Sequence, residues 1–391
     1  MQASIITYWG YATVVFWTIL LVPSLLMMIR KRITRCLSAT EIPEMWPLIS
    51  VIVPAKDEAE TIELTLNSLL ASDYPRLEII AVNDRSTDET GAIMERVAKE
   101  AANQNRVNMQ IVHITGLPAD WLGKSHAMHQ AAKQATGELL LFTDGDIIFD
   151  PKAISEATRI FLHQKLDHLC LLPQLARGGL LEMAFITFFG FLLTGGMFLW
   201  LVPTRWHFAY IGIGAFNLVR TEVYQQVGGH AAIKLDVLDD IKLGKLIKNY
   251  YYRQDFYLGI EQLKVRWQPS AWGVITGVEK NSFASFHYSV LWVSLATLVF
   301  LLFFIAPFIV PFLYPLSQTI GFLITVGLLH LCYATIAVLF SSGLRVTPLL
   351  FFSSLALAFA IWRSAYITLK NGGVRWRDTI YPLDVLKKNL Y

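Results

Sequence analysis

Between residues 43 and 180, short apolar runs alternate with amphipathic stretches. "LISVIVPA" (48–55) is a β-branched run ending at a proline, and it reads as a buried strand. A helix is expected near 58–71, and "LEIIAVND" (77–84) reads as a second strand. Ser86-Thr87-Asp88-Glu89 has the spacing of a capping box and predicts the start of a second helix. "MQIVHI" (109–114) reads as a third strand, 123–135 as a third helix and "ELLLFTD" (138–144) as a fourth strand. Pro151 suits the first turn of a helix over 151–163, and "DHLCLLPQ" (167–174) reads as a fifth strand. Strands alternating with helices predict a mainly parallel sheet in an α/β layer fold. Ligands of such sheets sit at the carboxyl ends of the strands.

A second pattern is long and uncharged. Residues 1–29 carry no charged side chain, and Arg30, Lys31, Arg32 and Arg35 follow at once. A cleavable leader has its positive charges before the apolar run, so 1–36 reads as an uncleaved transmembrane anchor with its basic end in the cytoplasm. Between Lys280 and Arg345 there is again no Asp, Glu, Lys or Arg. Apolar runs near 287–312, 318–340 and 348–369 predict about three C-terminal spans over 283–369, the last interrupted only by Arg363. Pro307, Pro311 and Pro315 mark a kink or exit at the end of the first. A further uncharged run, "MAFITFFGFLLTGGMFLWLVPT" (183–204), lies inside the polar region. One crossing there would put its two flanks on opposite sides of the membrane. It is therefore expected to lie in the interface, to form a re-entrant hairpin, or to be buried in protein, with Gly195-Gly196 suiting a bend. Its Trp and Phe side chains read as a lipid-facing belt, and Arg205-Trp206 as an interfacial anchor.

Composition agrees. Hydrophobic residues make up 54% of the 391-residue chain and charged residues 16%, against about 25% charged in an ordinary soluble protein. A net charge of +3, from 33 basic and 30 acidic residues, is too even to argue for nucleic acid. The three cysteines, Cys36, Cys170 and Cys332, form no CxxC and no dense framework, which suits a reduced compartment and argues against structural zinc.

The polar region concentrates acidic residues at predicted strand ends: Lys56-Asp57-Glu58, Asp84, and Asp144-Gly145-Asp146. Asp239-Asp240 follows in "LDVLDDIKLGKLI". Two carboxylates one residue apart suit a hard cation such as Mg2+ or Mn2+, completed by water and phosphate oxygens; the plain alternative is an Asx turn before Pro151. No GxGxxG follows the first strand. Gly123-Lys124-Ser125 lacks the earlier glycine of a P-loop, because Pro118 stands there. His126 and His129, on an alanine-rich helix, read as surface residues.

"VIVPAKDE", "VNDRSTDET", "WLGKSHAMHQAAKQATGELLLFTDGD" and "DDIKLG", in this order, resemble the family 2 glycosyltransferases with a GT-A fold, over roughly 48–282. The layout of one anchor before and several spans after resembles the members that act on membrane lipids. Among these the chain resembles the bacterial carotenoid and hopanoid-associated glycosyltransferases, and the tail "GGVRWRDTIYP" (372–382) also resembles the carotenoid group. The resemblance implies a GT-A catalytic domain over 43–282, with an apolar interfacial insertion at 180–206. It implies that Pro54, Ala55 and Glu58 line the nucleotide, that Asp84 contacts uracil, and that Lys124 and Lys280 serve the phosphates. It implies that Asp144 contacts the nucleotide and the metal, that Asp146 holds the metal, and that Asp240 is the general base, with Asp239 able to exchange roles with it. Asp240 begins a predicted helix, whose N-terminus is expected to keep it ionised.

Polymer-forming members carry QxxRW, whereas "QLKVRW" (262–267) has one residue too many and sits in a strand-like stretch. The corresponding helix is expected at 271–283, which argues for addition of one sugar. The expected reaction is inverting, metal-dependent transfer from a nucleotide sugar, UDP-glucose by resemblance, to a hydroxyl of a membrane lipid. Transfer to a polyprenyl phosphate and a non-catalytic membrane scaffold or transport protein are the alternatives. No protein partner and no nucleic acid are implied. The basic tail 370–391 is expected on the cytoplasmic side, although three spans would place it outside.

Overall fold

The computed structural model describes residues 2–37, 40–104, 107–176, 178–268, 270–376 and 379–388. The chain divides into two compact units. One comprises Arg30–Ala176 and Leu201–Arg266, and the other Met1–Ile29, Arg177–Trp200 and Trp267–Leu390.

The first unit is built on an eight-stranded sheet of order β3-β2-β1-β4-β7-β6-β8-β5. The strands are β1 (Ile49–Ala55), β2 (Leu77–Asp84), β3 (Asn108–Ile114), β4 (Leu139–Phe142), β5 (Ile147–Phe149), β6 (His168–Leu175), β7 (Asn217–Arg220) and β8 (Gln254–Val265). Only β7 and β5 run against the others. The five strands read from the sequence are present within a few residues of their expected limits. β1 and β4 are buried throughout, because helices cover both faces of the sheet. Alternate residues of β1 serve the two cores. Val51 and Val53 pack with Ile62, Leu66 and Leu69 of the helix Ile62–Leu70 and with Phe161 of the helix Ala153–His163. Ile52 packs on the other face with Ala127, Met128 and Ala131 of the helix Gly123–Gln134 and Leu243 and Leu246 of the helix Asp239–Asn249. Each fully buried side chain of this size contributes about 1.5–3 kcal/mol.

Two local expectations change. The helix expected from Ser86 starts at Thr90. Ser86, Thr87 and Asp88 instead bind the loop after β1: the Ser86 hydroxyl accepts from Asp57 N, Asp57 Oδ1 accepts from Thr87 N, and Asp88 Oδ2 accepts from Ala59 N. Tertiary bonds between the two strand-end loops outcompete the local cap. The basic residues after the anchor are also not all free flanking charges. Lys31 is ion-paired with buried Asp255, and its ammonium lies 4.6 Å from the centre of the Tyr257 ring.

The second unit holds, among the described residues, four helices long and apolar enough to cross a membrane: Ile5–Arg30, Val290–Phe312, Leu316–Leu339 and Leu344–Lys370. They are joined by polar contacts suited to an apolar medium. Thr13 and Thr325 hydroxyls lie 2.7 Å apart, and Trp17 Nε1 donates to Phe303 O at 2.7 Å. Arg363 pairs with Glu279 of the helix Ala271–Ser285 at 2.9 Å. The run 183–204 forms a shorter helix, Leu180–Gly196, within this unit, ending at the glycine pair. Phe188 and Phe191, expected to face lipid, are fully buried against Phe304 and Tyr333. Tyr333 donates its hydroxyl proton to Ala184 O at 2.8 Å. Phe188 and Phe191 thus take the buried placement, whereas Phe185, Phe189, Phe198 and Trp200 are half-buried. The stretch 271–282 also groups with this unit rather than with the sheet, as the Ala271–Ser285 helix.

Candidate active site

The carboxyl ends of β1, β2 and β4 bring the expected residues to one edge of the sheet. Pro54-Ala55 ends β1, and Thr143 N donates to Ile52 O at 3.1 Å, which sets the Asp144-Gly145-Asp146 turn beside it. Asp84 ends β2 and is buried. Arg85, with φ of 56°, folds back onto it and donates to both carboxylate oxygens, at 2.7 and 3.0 Å. Glu58 N donates to Thr90 Oγ1 at 2.8 Å, which fixes the loop after β1. Arg85 was not singled out in the sequence; a strained non-glycine φ is a property of the backbone and has no local signature.

Lys124, at the start of the Gly123–Gln134 helix, lies at the centre. Its Nζ is 2.7 Å from Asp144 Oδ1 and 3.3 Å from Asp239 Oδ2. Burial disfavours its charge, but Asp144, Asp239 and Asp240 together hold it protonated well above the usual lysine range. The carboxyl of Asp146 is pushed up to about 7 by burial, then by Asp144 and Glu58. Such crowding of negative charge favours a cation. Among the described residues no group of three or more His, Cys, Asp or Glu side chains could hold a metal ion by itself. Two carboxylates that leave places for phosphate oxygens are the arrangement Mg2+ or Mn2+ uses with nucleotides.

Asp239 and Asp240 open the helix Asp239–Asn249 and differ in surroundings. Asp239 is buried against Lys124. Asp240 Oδ2 accepts from Gly214 N and Oδ1 from Ile241 N, both at 2.8 Å. The helix N-terminus does donate to Asp240, as expected, yet it does not dominate. Burial and then Asp239 raise its carboxyl to about 6. A carboxylate near 6 is ionised at neutral pH yet basic enough to accept a proton. Any side chain at Gly212 would collide with the Asp240 carbonyl, so the loop 211–214 approaches this helix only through glycine.

Lys124, Thr143, Asp144, Asp239 and Asp240 line one small pocket that opens to solvent. His230 and Asn217 also line it, and neither carries a signature in the sequence. The expected surface positions of His126 and His129 are corrected: His126 is buried and His129 half-buried, with Trp121 stacked on His129 at 4.8 Å. The side chain of Lys280 lies outside the described residues, and the exposed Trp206 lies in the catalytic unit.

A buried network stands behind the loop. Ile211 N donates to Gln254 Oε1 at 2.9 Å, and Gln254 Nε2 donates to Gly244 O at 3.0 Å and to His168 Nδ1 at 2.7 Å. His168 Nε2 donates to Asn217 Oδ1. Burial lowers the His168 pKa to about 4, so the ring is neutral. In the unfolded chain it titrates near 6.5. The unfolded state thus binds the extra proton first as pH falls. This contribution is complete above about pH 6.5 and is lost between there and about pH 4, at most roughly 3 kcal/mol. Thermal melts of the purified protein across that window are expected to fall more steeply for the wild type than for His168→Gln, by up to one proton's worth of slope. Equal slopes would show that His168 is not held neutral.

Residues 50–241 match the model of glycosyl transferase family 2. They are a family 2 glycosyl transferase domain. The chain is 26% identical over 198 residues to the 4,4'-diaponeurosporenoate glycosyltransferase of Staphylococcus aureus (strain USA300), covering 50% of each. It thus spans about half the length of the curated relatives it matches. The mannosyltransferase PcManGT from Pyrobaculum calidifontis, in complex with GDP-Man and Mn2+, superposes with a TM-score of 0.50 at 18% identity, covering 92% of this chain and 98% of that one. The glycosyltransferase domain therefore has the GT-A α/β fold, on a chain with one N-terminal and three C-terminal helices long and apolar enough to span a membrane.

Proposed function

We propose that this protein transfers a single sugar, with inversion, from UDP-glucose to a hydroxyl group of a membrane lipid. The observation that carries the reading is the single pocket in which Lys124 meets Asp144 while Asp240 is held by two backbone N–H groups. Pro54, Ala55, Glu58 and Asp84 bind the nucleoside, and Lys124 balances charge on the diphosphate. Asp144 and Asp146 would hold Mg2+ or Mn2+, which supplies positive charge to the diphosphate leaving group. Asp240 takes the proton of the acceptor hydroxyl as its oxygen attacks the anomeric carbon. The bond from that carbon to the diphosphate breaks, and its electron pair leaves on the diphosphate oxygen. Asp239 holds Lys124 in place.

The lipid acceptor is supported by chain order. The chain leaves the catalytic unit after Ala176, between Asp146 and Asp240, contributes an apolar helix to the membrane unit, and returns at Leu201. A soluble acceptor gives no reason for that excursion. The carotenoid acid glycosyltransferase among the relatives is consistent with an amphipathic lipid. The basic residues Arg30, Lys31, Arg32 and Arg35 after the anchor support, by the positive-inside rule, a catalytic domain on the cytoplasmic side of the cell membrane.

Detergent-purified protein supplied with UDP-[14C]glucose, Mn2+ and a total lipid extract is expected to put label into the butanol phase as one discrete species. Label confined to a water-soluble or polymeric product would overturn the reading.

A further inference from the structure

His230 takes no part in the roles assigned above, yet it is 1% exposed and forms part of the wall of the pocket that holds Lys124, Asp144, Asp239 and Asp240. The backbone is shaped to place it there. Gly228 and Gly229 both have positive φ, 85° and 51°, and any side chain at 229 would collide with the Tyr224 ring. This turn lets the Tyr224 hydroxyl reach His230 twice. The hydroxyl oxygen accepts from His230 N at 3.1 Å and lies 2.8 Å from His230 Nδ1. The tyrosine proton is assigned to this second contact, so that Nδ1 accepts it. Phe142 lies edge-on to the ring at 4.8 Å, which fixes its plane. Burial, with the charge of Lys124 nearby, keeps the imidazole neutral. A neutral ring that accepts at Nδ1 carries its hydrogen on Nε2. Nε2 is then the polar ring atom left to serve the pocket.

We propose that His230 reads the sugar of the donor, its Nε2–H giving a hydrogen bond to the oxygen of one sugar hydroxyl. The inference rests on the nucleotide-sugar reading above. The chemistry is complementary: a hydroxyl both donates and accepts. The carboxylates of this pocket accept its proton, and a neutral N–H satisfies its oxygen. A site that bonds a substrate hydroxyl discriminates against analogues that lack it, because its own buried group is then left unmatched.

The test uses the full-length protein in detergent, with UDP, UDP-glucose and the 2-, 3-, 4- and 6-deoxy analogues of UDP-glucose as probes. His230→Phe is expected to keep UDP affinity within about 2-fold and to lose roughly 10- to 100-fold in kcat/KM with UDP-glucose. With the one deoxy donor that lacks the hydroxyl being read, that loss is expected to shrink to about 2-fold. His230→Gln, whose amide nitrogen can stand near the Nε2 position, is expected to recover most of the discrimination. Equal losses across all four deoxy donors, or parallel loss of UDP affinity, would show a structural role and overturn the inference. Failure of the wild type to bind UDP at all would sink the donor assignment, and this inference with it.

Discussion

Asp240→Asn is expected to lower kcat by roughly 10^3-fold while leaving UDP binding unchanged, since general-base assistance is worth about 10^2- to 10^4-fold. The substitution keeps the size of the side chain and an oxygen to accept from Gly214 N or Ile241 N, so the loop and helix remain joined. It removes the ability to take a proton, while Asp144 and Asp239 still hold Lys124. The pH profile gives an independent check. The Asp240 carboxyl stands at about 6, raised by burial and by Asp239. The base must be ionised, so wild-type kcat/KM is expected to rise with pH through about 6 and to level above it. The residual activity of the variant should not show that rise. Full activity of Asp240→Asn would mean that the acceptor needs no base. That outcome would favour an acceptor already anionic, such as a polyprenyl phosphate.

Asp146→Ala is expected to abolish metal-stimulated turnover, by at least about 100-fold, with the fold intact. Without a cation, burial and then the charges of Asp144 and Glu58 push the Asp146 carboxyl up to about 7. Removing it relieves that repulsion, so thermal stability of the metal-free protein should hold or rise. Wild-type enzyme stripped with EDTA should regain activity on titration with Mn2+ or Mg2+, and the variant should not. A normal metal titration of the variant would reduce Asp144-Gly145-Asp146 to an acidic turn.

The regular half of the catalytic unit was legible because its signals are local. β1 and β2 are mainly apolar runs, interrupted by Ser50 and Glu78 and followed or closed by polar residues, and burial on both faces of a sheet favours that pattern. β5 and β7 were not legible. They are three and four residues long, too short for any periodicity, and exist only because β8 and β4 offer them an edge. The capping spacing at Ser86 misled for a related reason. The same side chains found better partners across the crevice, at Asp57 and Ala59.

The sequence by itself determined an α/β domain with its acidic residues at strand ends and a set of apolar segments long enough to span a membrane. Those properties follow from the order of residue types along the chain. Tertiary structure alone decided how the site works. It gave Lys124 to Asp144 and Asp239, and gave Asp240 two backbone N–H groups, one of them from Gly214, 26 residues away. It moved the Asp240 carboxyl up rather than down, because burial and a neighbouring carboxylate outweigh the helix terminus. It turned Phe188 and Phe191 from expected lipid contacts into a protein core. It also brought His230 to the pocket through a glycine turn. Proton affinity and burial depend on what the fold packs around a side chain, and neighbours in sequence do not supply that.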